Sequence, residues 1–193
     1  MVTLAQYKND GNENENNTMV CNLSSLVLVF LLFATTSYAI PAREVSTICK
    51  QAKDPSFCST LLNSNPNANL VDLTQYTIDI VRVNVTNTIK LINTLIAQST
   101  DPKAKNHYKS CLENFGSEGA LGDLDYTQEL FKKEDYQGVN LGASSVLDDI
   151  EDCVSGDTPS VPPFHDLSKL PQYAAITESV ISVLLVLSIN LGH

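Results

Sequence analysis

The sequence predicts an all-α protein: an up-down-up-down four-helix bundle with an N-terminal disulfide-closed helical hairpin. Three observations lead there. Apolar residues recur every three or four positions along four long stretches, the spacing of one helical face. No stretch shows the apolar/polar alternation of a half-buried strand. The connections are short and carry residues that mark a turn and a fresh helix start, such as Asp54-Pro55 and Asp101-Pro102.

The chain does not begin with material that could pack. Residues 1–18 form a polar, Asn/Glu-rich extension, and Met19 is the more natural start, which makes 1–18 a candidate gene-model artefact. Residues 19–39 read as a signal peptide. Its apolar centre, 23–34, is about the length of a secretory leader and well short of the roughly twenty residues of a membrane span. Ser37 and Ala39 supply the small residues of a cleavage site, although no positive charge precedes the apolar run. Residues 40–193 are then one domain, with a hairpin over 40–65 and the bundle over 72–193, secreted to the cell exterior.

Within the hairpin, Val45, Ile48, Cys49 and Ala52 make about two helical turns, and Phe57, Cys58, Leu61 and Leu62 make a second short amphipathic piece. Helices this short do not stand alone. Residues 63–69, rich in Asn, are a loop. The clearest helix covers 72–98, with Ile78, Val81, Val85, Ile89, Ile92 and Ile96 as its stripe, Ile80, Val83 and Leu91 widening it, and Asp72 at its start. Asn84-Val85-Thr86 is an N-glycosylation sequon on that helix.

The next helix runs from Pro102 to about Lys133. Asp101 caps it, and Tyr108, Cys111, Leu112 and Phe115 share its inner face. Gly116, Gly119 and Gly122 either line a face for close approach or interrupt the helix; interruption is the favoured reading, since each interior glycine costs about 1 kcal/mol against alanine. Val139, Ala143, Val146, Leu147, Ile150 and Cys153 form the third bundle helix, and 157–163 a linker. The last helix starts near Leu167 and continues through Ala174, Ile176, Ile181, Leu184 and Leu191. Its run 180–191 is too short and too periodic for a membrane anchor.

Without the leader, four cysteines remain, Cys49, Cys58, Cys111 and Cys153, an even count that reads as two disulfides in a secreted chain. Three pairings are possible and the sequence does not choose among them. A local Cys49–Cys58 loop is the simplest, and Cys111 and Cys153 on adjacent antiparallel helices would be near enough to bridge. No C-x-x-C and no paired histidines support a metal site.

Charge is uneven. Residues 43–109 hold eight basic and five acidic side chains, and 110–193 hold three and fourteen. The acidic balance disfavours nucleic acid and anionic membranes and suits a basic partner. No catalytic constellation has a convincing address. His107, His165 and His193 are scattered, and G-x-S-x-G and a phosphate-cradling glycine loop are absent from the sequence. Asp148, Asp149, Glu151 and Asp152 radiate from a helix as a solvated or partner-facing patch. The chain reads as a non-enzyme without cofactor.

Several runs together resemble a known family. From Thr47 the chain reads Thr-Ile-Cys-Lys-Gln-Ala-Lys-Asp-Pro-Ser-Phe-Cys-Ser-Thr-Leu-Leu, followed by Asn65-Pro66. From Asp101 it reads Asp-Pro-Lys-Ala-Lys-Asn-His-Tyr-Lys-Ser-Cys-Leu-Glu-Asn. From Asp135 it reads Asp-Tyr-Gln-Gly-Val-Asn-Leu-Gly-Ala-Ser, and Cys153 follows. Over essentially all of 40–193 this is similar to the plant invertase and pectin methylesterase inhibitors. It lies nearer the pectin methylesterase branch, because the Pro-Lys-Phe of invertase inhibitors is absent at 131–136.

The resemblance implies a monomeric bundle with pairing Cys49–Cys58 and Cys111–Cys153. It would sit across the substrate cleft of pectin methylesterase in a reversible, pH-dependent stoichiometric complex. Glu113 matches an acidic residue of that interface, and with Asn114 and Asp152 makes up the implied partner-binding set. Two departures stand out: Asp152 occupies a position that is commonly threonine, and the 116–122 glycines lie where the second bundle helix should meet the enzyme. Inhibition of acid invertase is the runner-up. A detached pro-region and a small-ligand carrier are the readings from other classes.

Overall fold

A computed structural model describes residues 39–155 and 164–192. The polar extension, all but the last residue of the leader, and the 157–163 linker lie outside the described residues. Among these residues seven helices follow in order: α1 (Ala42–Cys49), α2 (Pro55–Asn63), α3 (Leu70–Gln98), α4 (Pro102–Phe115), α5 (Ala120–Lys132), α6 (Tyr136–Ser155) and α7 (Leu170–Leu191). Among the described residues there is no strand. The fold is the four-helix bundle, with α4 and α5 together serving as one broken member. α3 lies beside α4–α5 and α7, and α6 lies beside the same two neighbours.

Helix starts follow side-chain chemistry. Asp54 accepts the backbone N–H groups of Ser56 and Phe57, both at 3.0 Å, with Pro55 in the first turn. Asp101 accepts the N–H of Lys103 at 3.1 Å and starts α4 in the same way. α3 begins two residues earlier than expected. Its cap is Asn69, which accepts from the N–H of Asp72 at 2.9 Å, while the Asp72 carboxylate accepts the Asn69 N–H at 3.3 Å. Asp72 is thus the third-residue half of a capping box and not the cap itself.

The glycine segment is an interruption. At the break, the Gly116 carbonyl accepts N–H groups from Gly119 at 3.2 Å and Leu121 at 3.1 Å, so the chain turns tightly upon itself. A Cβ on Gly119 would run into the Asn114 carbonyl. The glycines therefore serve the turn and are not a contact stripe for a neighbouring helix.

Two apolar clusters hold the molecule together. The larger fills the bundle, with Ile78, Val85, Phe115, Leu124, Ile150 and Ile181 among its members. The smaller joins the hairpin to the outside of α7: Val45, Ile48 and Leu62 meet Val183, Val186 and Leu187, with Leu73 of α3 beside them. There the backbone N–H of Lys53 donates to Ser182 Oγ at 2.8 Å, and the Lys53 ammonium meets Glu178 at 3.0 Å. Because α7 is covered by the bundle on one side and the hairpin on the other, apolar residues occur around much of its circumference. The full helix has 22 residues, its most apolar 18-residue window has a mean hydropathy of 1.9, and by length and composition alone it is long enough to cross a membrane. The short 180–191 run understated this, and double-sided burial is the physical reason for the apolarity.

Three stripe residues point the other way. Val83 is 55% exposed, Ile176 is 44% and Leu167 is 86%. Leu167 precedes the helix: Asp166 accepts from the N–H of Ser168, whose hydroxyl accepts the N–H of Leu170, and only then does α7 begin. The places expected for aliphatics are partly filled by threonine. Thr77, Thr88, Thr127 and Thr177 are fully buried, each donating its hydroxyl to the carbonyl four residues back at 2.7–2.8 Å. Between α3 and α5, Gln75 and Gln128 exchange amide hydrogen bonds of 2.9 and 2.8 Å, and Arg82 pairs with Asp125 beside them.

Candidate partner-docking face

The face rests on one cross-link. Tyr108, Cys111 and Phe115 are the buried line of α4, so Cys111 points at the bundle interior. Val146, Ile150 and Cys153 do the same on α6. Cys111 and Cys153 form a disulfide with Cα atoms 4.6 Å apart, which holds α4 and α6 in close register. Cys49 and Cys58 form the other.

From this clamp the implied contact residues can be placed. Glu113 lies two residues past Cys111 on α4 and is exposed. Asp152 lies one residue before Cys153 on α6 and is exposed. Asn114 is half-buried, and its amide nitrogen is sealed from solvent without a hydrogen-bond partner. The cross-link thus brings the stretches carrying Glu113 and Asp152 to one seam of the bundle, while Asn114 turns partly inward.

The carboxylates of α6 do not all radiate outward. Asp148, Glu151 and Asp152 are exposed, but Asp149 is half-buried and its Oδ2 is sealed from water without a partner. Burial, then the nearby charges of Asp123 on α5, Asp152 and Asp148, push its pKa up to about 6. Sequence spacing alone could not place Asp123 there, because it lies on a different helix.

Beside the disulfide sits a second group of residues that the sequence did not connect. The Asp166 carboxylate accepts the Tyr108 hydroxyl at 3.0 Å and the N–H and hydroxyl of Ser168 at 2.8 and 3.0 Å. His107 Nε2 stands 3.8 Å from the other Asp166 oxygen, and Phe164 stacks on the imidazole with ring centres 4.7 Å apart. Burial lowers the His107 pKa, and Asp166 opposes that shift. The arrangement anchors the segment entering α7 onto α4 across a sequence separation of 58, beyond any local motif. It braces the clamp, and among the described residues no group of histidine, cysteine and carboxylate side chains could hold a metal.

Asn84, the sequon residue, is half-buried in the middle of α3.

Comparison with known proteins agrees with this architecture. Residues 43–184 match the family model described as plant invertase/pectin methylesterase inhibitor. Pectinesterase inhibitor 1 of Arabidopsis thaliana is 36% identical over 128 residues, covering 66% of this chain and 72% of that protein. The pectinesterase inhibitor of Actinidia deliciosa is 31% identical over 173 residues, 85% of this chain and 90% of its own. The crystal structure of a mutant form of an Arabidopsis pectin methylesterase inhibitor superposes with a TM-score of 0.67 at 28% identity, covering 76% of this chain and 95% of that one. With its disulfide-closed hairpin ahead of a four-helix bundle, the chain belongs to the plant invertase/pectin methylesterase inhibitor family, on the pectin methylesterase inhibitor branch.

Proposed function

We propose that the protein is secreted to the plant cell wall and there inhibits pectin methylesterase as a monomer, in a reversible one-to-one complex that covers the enzyme's substrate cleft. The observation that carries this reading is kinship with inhibitors of that enzyme over most of the chain. The α4–α6 seam is the docking face, with Glu113, Asn114 and Asp152 as contacts. Its carboxylates favour a basic partner and speed encounter by steering it. Two disulfides in the domain fit an oxidising compartment outside the cytosol.

Titrating the secreted protein into a plant pectin methylesterase and, separately, into an acid invertase tests the reading. De-esterification falls to completion at one equivalent, and invertase is unaffected. Inhibition of invertase alone would transfer the assignment to the other half of the family.

Acidity sharpens the test. Asp152 placed against the carboxylates of an enzyme cleft is repelled unless one of them is protonated. Like charges brought into one site drive a carboxyl of the pair toward its neutral form, so binding is tighter at about pH 5 than at about pH 7.5. Asp152→Thr strengthens it most at the higher pH, and equal affinities for the two variants at both values would refute this placement.

A further inference from the structure

Residues 40–193 contain one Asn-x-Ser/Thr triplet, Asn84-Val85-Thr86. Its position on the bundle follows from helix geometry. Leu73 and Asn84 are eleven residues apart, three turns of α3, and so lie along one line. Leu73 belongs to the small core formed with the hairpin and with Val183 and Leu187 of α7. Gln75 and Arg82, seven apart, lie along a different line and reach Gln128 and Asp125 of α5. Asn84 is therefore on the α7-facing flank of α3. In a four-helix square, the α3–α7 seam is opposite the α4–α6 seam.

The surroundings suit a sugar. Among the described residues the Asn84 side chain makes no hydrogen bond, and its amide is not among the polar groups sealed from solvent, so the nitrogen reaches water. Val83 beside it is 55% exposed, an aliphatic surface left uncovered. Thr86 and Asn87 are exposed, and no ionisable residue lies between Arg82 and Lys90. The paired cysteines independently place folding in the oxidising lumen where asparagine glycosylation occurs.

We propose that Asn84 carries an N-linked glycan that covers Val83 and the α3–α7 flank and leaves the α4–α6 face free to dock. In the transfer, Asn84 Nδ2 attacks the anomeric carbon of an oligosaccharide activated as a lipid diphosphate. The new N–C bond forms as the C–O bond to the diphosphate breaks; the diphosphate departs, and one amide proton passes to a base of the transferase. Because Asn84 is half-buried in the finished bundle, the sugar is added before α3 packs.

The statement that docking is unhindered rests on the pectin methylesterase reading; the glycan itself does not. The test is to secrete the full chain from plant cells and weigh the Asn84 peptide before and after enzymatic removal of N-glycans, beside Asn84→Gln and Thr86→Ala. The expected result is a glycan on Asn84 that both variants lack, with inhibition of pectin methylesterase changing by less than about threefold when it is removed. An unmodified Asn84 in the secreted protein overturns the proposal, as does a larger change in inhibition. If neither form inhibits, the docking half falls with the functional reading, and the peptide mass still decides the modification.

Discussion

Cys49–Cys58 closes a loop of nine residues inside the hairpin, whereas Cys111–Cys153 spans 42 residues and joins two members of the bundle. The chain-entropy model assigns about 2.5 kcal/mol to the first and about 4 kcal/mol to the second. The ranking by need is different. α1 and α2 have eight and nine residues and reach the rest of the protein mainly through one small apolar cluster. Helices of that length are marginal without help. α4 and α6 would still share a large core without their bridge. The longer bridge therefore contributes more to global stability, and the shorter one decides whether its own region is folded.

The largest expected effect tests that contrast directly. Cys111→Ser with Cys153→Ser lowers the free energy of unfolding by about 4 kcal/mol in urea titration and keeps a single transition. Cys49→Ser with Cys58→Ser costs about 2.5 kcal/mol, and the hairpin amides exchange hydrogen well before those of the bundle. Equal losses with uniform exchange would erase the distinction.

Next in size is a change within the bundle alone. A Cβ on Gly142 of α6 would collide with the Thr127 hydroxyl of α5, which is held by its bond to the Asp123 carbonyl. Gly142→Ala therefore destabilises by about 2 kcal/mol, and hairpin exchange stays unchanged in rank.

A smaller effect concerns acidity. The folded Asp149 carboxyl, at about 6, holds its proton more tightly than an unfolded aspartate does. Its contribution is fully present below the unfolded value near 4 and is lost as pH rises through about 6. Asp149→Asn accordingly stabilises the protein at neutral pH by about 1 kcal/mol, once solvent screening is allowed for. That gain vanishes at about pH 4, and thermal melts at the two values read it. Smallest is Lys53→Ala, which removes the exposed pair with Glu178 and weakens hairpin docking by about 0.5 kcal/mol, seen as faster hairpin exchange.

Much of the fold was legible because helix period and helix ends are local signals. The stripe through Ile78, Val81 and Val85, the caps at Asp54 and Asp101, and the interruption at Gly116 to Gly122 all stand in the chain as neighbours. Errors arose where burial is decided by a distant partner. Buried threonines escaped a stripe search that counts only apolar residues, because their hydroxyls are satisfied within their own helix. Leu167 has the spacing of a helical residue, yet the Asp166–Ser168 turn delays the start of α7. The inward lean of Asp149 depends on α5, and the anchoring of Asp166 by Tyr108 and His107 depends on α4, neither of which spacing reveals.

The reciprocal amides of Gln75 and Gln128 have a consequence for where such a protein can work. Neither side chain ionises, so this contact is indifferent to acidification and to a rise in salt, while the adjoining Arg82–Asp125 contact loosens as counterions accumulate. The long first rod of the bundle keeps its alignment through swings in acidity and salt that would unsettle a joint built from charge alone.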